Sequence, residues 1–248
     1  MAAGRIRVGI GGWTFEPWRG GTFYPEGLRQ KDELAYVGQH LTATEINATY
    51  YSTQKPATFA NWAKAVPDGF QFAVKASRYC TNRRVLGEAG ESIAKFVGQG
   101  IAELGDRLGP ILWQFMPTKK FEPQDFGAFL KLLPDCVDGV PLRHALEVRH
   151  ESFDDPAFLQ LARDAGAAVV LADHDEYPAI VGHDVGFSYC RLMRTREEEA
   201  TGYSPREIGG WAKKAQAMAD NGDVFVFYIS GAKVRAPAAA QAMIVALG

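Results

Sequence analysis

The feature that most constrains the fold of this 248-residue chain is a series of short apolar runs, each ending in a polar residue. Runs of this kind occupy residues 44–47, 72–75, 111–114, 145–149, 169–173 and 187–191. Polar side chains collected at the carboxyl ends of parallel strands are typical of the active face of a (β/α)8 barrel. We therefore predict an α/β fold, a TIM-like (β/α)8 barrel.

Two further strands, predicted at residues 5–10 and 223–229, bring the total to eight. Most of the intervening segments have the spacing of amphipathic helices. Residues 175–185 are too few and too polar for a full barrel helix, so we predict a degenerate unit around strand six. A single barrel commonly needs about 250 residues. We therefore predict one domain that covers residues 1–248.

The charge balance gives no sign of a polyanionic partner. The 27 basic and 29 acidic residues leave a formal charge of -2, which does not favour general binding to nucleic acid or to anionic membranes. No apolar run approaches the roughly 18 residues of a membrane span, and the first residues lack the apolar region of a secretory signal. We expect a cytoplasmic protein without a membrane partner.

The strand-five sequence, Leu-Glu-Val-Arg-His at residues 146–150, combines an acid and a base on one side of a strand. Side chains at positions i and i+2 of a strand share a face, so Glu147 and Arg149 are expected together, as are Glu45 and Asn47. The predicted catalytic residues are Glu147, Glu45 and Asp173. The predicted ligand-binding residues are Lys75, Arg149, Arg191, Asn47, Gln114, Trp13 and Tyr50.

This set of side chains predicts an enzyme that acts on a small anionic molecule, phosphorylated or carboxylated, or on a sugar-like one. The cations would hold the anionic group, Glu147 or Glu45 would move protons, and the aromatic loop at residues 13–24 would cover the site. We assign neither a reaction class nor an oligomeric state, and we predict no cofactor.

Three other interpretations remain open. The charged ring could consist of ion pairs that only plug the barrel. A metal-dependent isomerase or a phosphodiesterase or endonuclease of barrel type could use Glu45, Glu147, Asp173 and His174. We assign no metal ligand, because the cations Lys75 and Arg149 would repel a divalent ion. For His150 we expect a helix cap or a core contact.

The third alternative is a non-catalytic module that binds an anion or a nucleic-acid backbone. Its binding rim would consist of Arg78, Arg83, Arg84, Arg194 and Arg196. The net charge does not favour nucleic acid as the partner.

The order of the motifs resembles a known family. The motifs are GGW at 11–13, FYP at 23–25, EINATYY at 45–51, FAVK at 72–75, LGPILWQF at 108–115 and LEVRH at 146–150. Together they resemble the YecE-like family, domain of unknown function 72, over nearly the whole chain. The resemblance implies a TIM-barrel-like fold and no established activity. The chain departs from the family pattern at Asn82, Met193 and Ser230, and the match weakens in the carboxyl-terminal third.

Overall fold

The computed structural model describes residues 3–248, and a parallel β-barrel forms its centre. The barrel strands are β1 (Ile6–Gly11), β2 (Ala43–Ile46), β3 (Gln71–Lys75), β4 (Leu108–Gln114), β7 (His144–Glu147), β8 (Ala168–Val169), β9 (Leu171–Asp173), β10 (Phe187–Leu192) and β11 (Asp223–Tyr228). The short strands β5 (Cys136–Val137) and β6 (Val140–Pro141) form a separate antiparallel hairpin.

Strands β8 and β9 are two pieces of one segment on either side of Val170. β8 pairs with β7, and β9 pairs with β10. The N–H group of Val170 donates to the carbonyl oxygen of Leu146 at 2.9 Å, so the segment continues across the gap. The segment therefore joins the two edges of the sheet and gives eight strand positions, which confirms the predicted TIM-like barrel.

Helices connect most of the strands. They are α1 (Glu33–His40), α2 (Ala48–Tyr51), α3 (Pro56–Ala65), α4 (Arg78–Thr81), α5 (Gly90–Val97), α6 (Pro123–Leu130), α7 (Pro156–Asp164), α8 (Pro205–Ala219) and α9 (Ala236–Leu247). No helix lies between β9 and β10, as predicted for the degenerate unit. Among residues 3–248, no helix is both long enough and apolar enough to cross a bilayer.

The connection before β4 is not a single helix. Helix α5 ends at Val97, and Gly100, at a φ of 107°, redirects the chain into the 3₁₀ turn Ile101–Arg107. A Gly-Pro pair often ends a helix, but Gly109-Pro110 lies inside β4. The register between β3 and β4 shifts there, and such an irregularity accommodates a proline that cannot donate a ladder hydrogen bond.

An apolar layer fills the middle of the barrel. It consists of Ala43, Ala73, Leu112, Ala145, Ala168, Val170, Phe187, Tyr189, Phe225 and Phe227. Small side chains from β2, β3, β7 and β8 face aromatic side chains from β10 and β11. Gly9 belongs to the same close packing, since a Cβ atom there would lie 2.1 Å from the carbonyl oxygen of Ala43. The charged side chains at the strand ends form a separate layer above this core.

Candidate functional site

The site is built around Arg191, whose side chain is only 2% exposed. Its Nε and Nη2 atoms donate to the two carboxylate oxygens of Glu45 at 3.1 and 2.9 Å, and Nη1 donates to Oε2 of Glu147. Tyr189 also donates its hydroxyl to Glu45, at 2.8 Å. Both carboxylates are fully buried. The ends of β2, β7 and β10 therefore place one guanidinium between two carboxylates.

Glu147 has two more donors. Nε of Arg149 lies 2.8 Å from Oε1 of Glu147, and the amide nitrogen of Gln114 lies 2.9 Å from Oε2. Burial alone would raise the pKa of Glu147, but the charges of Arg191 and Arg149 outweigh it and lower the pKa to about 2. Glu147 is therefore a fixed negative charge at neutral pH.

Lys75, at the end of β3, has a different environment. Its Nζ lies 4.3 Å from the centroid of the Tyr50 ring, and no carboxylate oxygen in residues 3–248 lies within 4.0 Å of it. Burial, and then repulsion by Arg191, lowers its pKa to about 8 despite the attraction of Glu45 and Glu147. Lys75 is therefore a buried amine without a paired counter-ion.

A cavity of about 510 Å³ opens above this layer. The polar and aromatic side chains of its lining are Trp13, Thr14, Phe15, Asn47, Tyr51, Lys75, Gln114, Arg149, Arg191, Ser230 and Lys233. Four of these side chains are cationic, and the lining contains no Asp or Glu. Glu45 and Glu147, which were predicted as catalytic residues, are fully buried against Arg191 and are not part of this lining.

Lys233, which the sequence analysis missed, lies in a 3₁₀ turn after β11. Its Nζ is 4.7 Å from the ring centroid of Phe15. Burial lowers the pKa of Lys233, and Glu45 opposes that shift. Its position after the last barrel strand could have indicated a site residue, because loops at this face of a barrel commonly carry site residues.

The aromatic loop at residues 13–24 contributes both to the core and to the cavity. Trp18 and Tyr24 are fully buried, whereas Trp13 and Phe15 line the cavity. Trp13 is supported edge-on by Trp62, with ring centroids 5.2 Å apart. The later part of the loop therefore packs as core, and the half-buried Trp13 and Phe15 at its start form an aromatic wall.

Asp173 was expected at the site but lies outside the cavity lining. The hydroxyl of Tyr203 donates to its Oδ2 at 2.7 Å, and Arg194 lies 3.5 Å from its Oδ1. In the ladder, Asp173 is level with Leu192, one residue beyond Arg191. Side chains alternate along a strand, so Asp173 projects away from the barrel interior.

The residues considered as metal ligands, Glu45, Glu147, Asp173 and His174, do not form one group. His174 stacks on Tyr177 at 3.7 Å, and its Nδ1 accepts from the N–H of Glu176. Among residues 3–248, no three or more His, Cys, Asp or Glu side chains are grouped as they would be to hold a metal ion. Nδ1 of His150 accepts from the N–H of Ser152, which is the predicted helix cap.

Comparison with known protein families identifies the family of this chain. The family model described as "Protein of unknown function DUF72" matches residues 7–248. The chain belongs to the DUF72 family. UPF0759 protein YunF of Bacillus subtilis (strain 168) is 24% identical over 160 residues, which are 62% of this chain and 54% of YunF. The chain thus spans about half of the length of that relative.

Solved structures show the same fold. A DUF72 family protein from Thermotoga maritima MSB8 has a TM-score of 0.74 and 22% identity, with 97% of each chain covered. SacUVDE has a TM-score of 0.57 and 12% identity, with 98% of this chain and 97% of that chain covered. Both likenesses are evidence for the fold alone.

The three departures from the family pattern surround the site. Met193 and Ser230 line the cavity. Asn82 donates its amide to the hydroxyl of Tyr50 at 3.1 Å, and the Tyr50 ring contacts Lys75. The positions at which the resemblance predicts a departure from the family pattern are therefore near the cations.

Proposed function

We propose that the protein is an enzyme that acts on a small molecule carrying a phosphate or carboxylate group, bound in the cavity at the carboxyl ends of the strands. The observation that carries this proposal is the four cationic side chains in a lining that has no carboxylate. Hydrogen bonds between fixed cations and an anion are strong in a partly desolvated site. The proposal includes a cytoplasmic location, as predicted from the sequence.

The residues have distinct roles in this proposal. Arg149 and Lys233 bind the anionic group, and Arg191 adds its charge from the floor of the cavity. Glu45 and Glu147 are positioning residues, because they hold Arg191 in one orientation. Lys75 is the group suited to proton transfer, since a pKa of about 8 leaves both protonation states populated near neutral pH.

The apolar side of the ligand has its own surface. Trp13 and Phe15 form one wall of the cavity. Aromatic faces of this kind pack against the carbon skeleton of a small molecule or against a sugar-like body. Asn47 and Gln114 supply amide groups for hydroxyl groups.

Isothermal titration calorimetry with inorganic phosphate and with succinate tests the proposal. We compare the wild-type protein with Lys233→Met, which removes a cavity cation that has no salt bridge within the described residues. The control is Lys213→Met, which removes an exposed cation from α8. A charge-assisted hydrogen bond contributes about 1.5–3 kcal/mol, so Lys233→Met should weaken binding of at least one anion about tenfold or more.

The control should bind that anion as the wild-type protein does. Absence of binding of either anion to the wild-type protein would overturn the proposal, as would equal affinity in all three proteins.

A second candidate function, a non-catalytic module for an anionic chain, has one observation in its favour. Tyr51, which is 65% exposed, borders both the cationic cavity and a second cavity of about 410 Å³ that also contains Tyr79 and Lys95. Exposed tyrosines beside cations can stack on the bases of a single strand. Fluorescence anisotropy with a labelled oligothymidylate would support this candidate if Tyr51→Ala and Tyr79→Ala both weakened binding, and no binding would remove it.

A further inference from the structure

Lys75 is the cation of the strand-end layer that has no carboxylate bound to it. Arg191 takes both oxygens of Glu45, and the oxygens of Glu147 are taken by Arg149, Arg191 and Gln114. All four carboxylate oxygens of the layer thus have donors other than Lys75. The layer contains two negative charges and two guanidinium charges, so it is electrically balanced when the Lys75 amine is neutral.

The amine is also held in place. Lys75 ends β3, is 9% exposed, and its carbonyl oxygen accepts from the hydroxyl of Thr49 at 2.7 Å. The ring of Tyr50 lies against Nζ, and the hydroxyl of that ring is fixed by Asn82. Lys75 therefore presents an amine to the cavity from a rigid strand end instead of from a mobile surface chain.

Lys75 faces several charged groups, and all of them affect its protonation. Burial and the charges of Arg191 and Arg149 favour the neutral amine, whereas Glu45 and Glu147 favour the ammonium ion. With a pKa of about 8, about a tenth of the amine is neutral at pH 7, far more than for an exposed lysine. A neutral, desolvated amine is the form of lysine that acts as a nucleophile.

We propose that Lys75 forms an imine with the carbonyl group of a small anionic aldehyde or ketone. This inference rests on the proposed function, because the other cations of the cavity supply the affinity for the anionic group. The Nζ lone pair attacks the carbonyl carbon, and one proton passes from the attacking nitrogen to the carbonyl oxygen to give a carbinolamine. That intermediate loses water, so a C=N bond replaces the C=O bond without any oxidant or reductant.

The product explains the use of a lysine at this position. When protonated, the imine withdraws electrons from the adjacent carbon, which makes a bond to that carbon easier to break. The neighbouring guanidinium groups of Arg149 and Arg191 cannot form such a bond. They keep the reacting amine partly neutral and hold the anionic end of the substrate.

Reductive trapping tests the inference. Wild-type protein is incubated with one equivalent of pyridoxal 5′-phosphate, an aldehyde that carries a phosphate, then reduced with sodium borohydride and mapped by peptide mass spectrometry. We expect Lys75 to carry at least ten times the label found on the exposed Lys213. Excess inorganic phosphate should reduce the labelling of Lys75 and leave that of Lys213 unchanged.

Two variants serve as controls. Lys75→Arg keeps the charge and should lose the dominant label, whereas Lys213→Met should keep Lys75 labelled as in the wild-type protein. Even labelling of the surface lysines, or dominant labelling of Lys233, would overturn the inference. The main result comes from the wild-type protein, so it does not depend on whether Lys75→Arg folds.

Calorimetry on the same preparation separates the two proposals. If the protein binds phosphate or succinate and Lys75 is not labelled, the imine inference fails and the proposed function stands. If it binds neither anion and Lys75 is not labelled, both proposals fail.

Discussion

The barrel has a charged cluster at each end, and the two clusters are built differently. At the amino ends of the strands, Asp223 accepts from Arg7 at 2.9 Å and from Arg143 at 3.1 Å, and Arg143 donates to Gln71. Asp223 and Arg143 are 27% and 30% exposed. At the carboxyl ends, both carboxylates are fully buried and Arg191 is almost so. Water therefore reaches Asp223 and Arg143 in the first cluster, although Arg7 there is only 8% exposed, and it is excluded from most of the second cluster.

The clusters also differ in how their cations are used. Both arginines at the amino end bind the same carboxylate oxygen, and the guanidinium of Arg143 stacks 5.0 Å from the ring centroid of Phe225. At the carboxyl end, Lys75 contacts the ring of Tyr50 but has no carboxylate partner within the described residues, and it lines the cavity. A structural role, in which ion pairs close the barrel, accounts for the cluster at the amino end. It does not account for the buried amine of Lys75, which has no carboxylate partner. We infer that only the carboxyl end is a binding site.

The largest expected effect is that of Glu147→Gln on stability. The change leaves Arg149 without its carboxylate and Arg191 with only one of its two, in a fully buried position. Loss of one partner of a buried pair costs about 3–5 kcal/mol. Urea unfolding should show a loss of this size, and a loss below about 1 kcal/mol would contradict the description of this end as a desolvated network.

The next largest effect is a pH dependence of stability caused by deprotonation of Lys75. Its pKa is about 8 in the folded protein and about 10.4 when unfolded, so the unfolded chain binds more protons between these values. The wild-type protein should therefore gain stability relative to Lys75→Met as the pH rises from 8 to 10.4. The total gain in the free energy of unfolding should be about 3 kcal/mol. None of this gain should be present below pH 8.

The free energy of unfolding, measured for both proteins from pH 7 to 11, tests this sign. Arg7 and Arg143 at the amino end do not deprotonate in this range, so they add no slope to the difference. If the difference in the free energy of unfolding between the wild-type protein and Lys75→Met did not change with pH, Lys75 would not be desolvated.

Anion binding should stabilise the folded protein by slightly less than the pH-dependent gain from Lys75. A ligand at one hundred times its dissociation constant adds about 2.7 kcal/mol to the free energy of unfolding. Differential scanning fluorimetry with phosphate should raise the melting temperature of the wild-type protein and of Arg143→Gln alike. Lys233→Met should show a smaller rise in melting temperature. If the smaller rise occurred in Arg143→Gln instead, the anion site would lie at the amino end of the barrel, contrary to the proposal.

The smallest effect is expected from Asp223→Asn at the amino end. Its carboxylate is partly hydrated, and the asparagine oxygen can still accept from the N–H of Arg5. Each partly exposed ion pair contributes about 0.2–1 kcal/mol, and Asp223 forms two, so the loss should be about 2 kcal/mol or less. Urea unfolding in parallel with Glu147→Gln checks this, and equal losses would erase the distinction between the ends.

The sequence was sufficient for the barrel and for much of the candidate site, because six of the eight predicted strands ended in a polar residue. Glu45, Lys75, Glu147 and Arg191 all close such runs, and the structure brings them together. Asp173 shows the limit of this reasoning. Both faces of a barrel strand are apolar, so the run 169–173 does not reveal which face Asp173 shares.

Two other features needed the three-dimensional arrangement. Lys233 lies in a loop after the last strand, and nothing in the local sequence indicates that its amine turns towards the cavity. Gly109-Pro110 has the chemistry of a helix stop, but the shift in register between β3 and β4 places it within a strand. In both cases, contacts between distant segments determined the outcome.

The most direct test of the central claim is a crystal of the protein soaked in selenate, measured at the selenium absorption edge. Selenate has the shape and charge of an oxyanion, and its anomalous signal locates it without reference to the rest of the density. We predict a peak in the carboxyl-end cavity, within hydrogen-bond distance of at least two of Lys75, Arg149 and Lys233. A peak at Arg7 and Arg143 with none in the cavity, or no peak in the cavity at a concentration that saturates phosphate binding, would contradict the account.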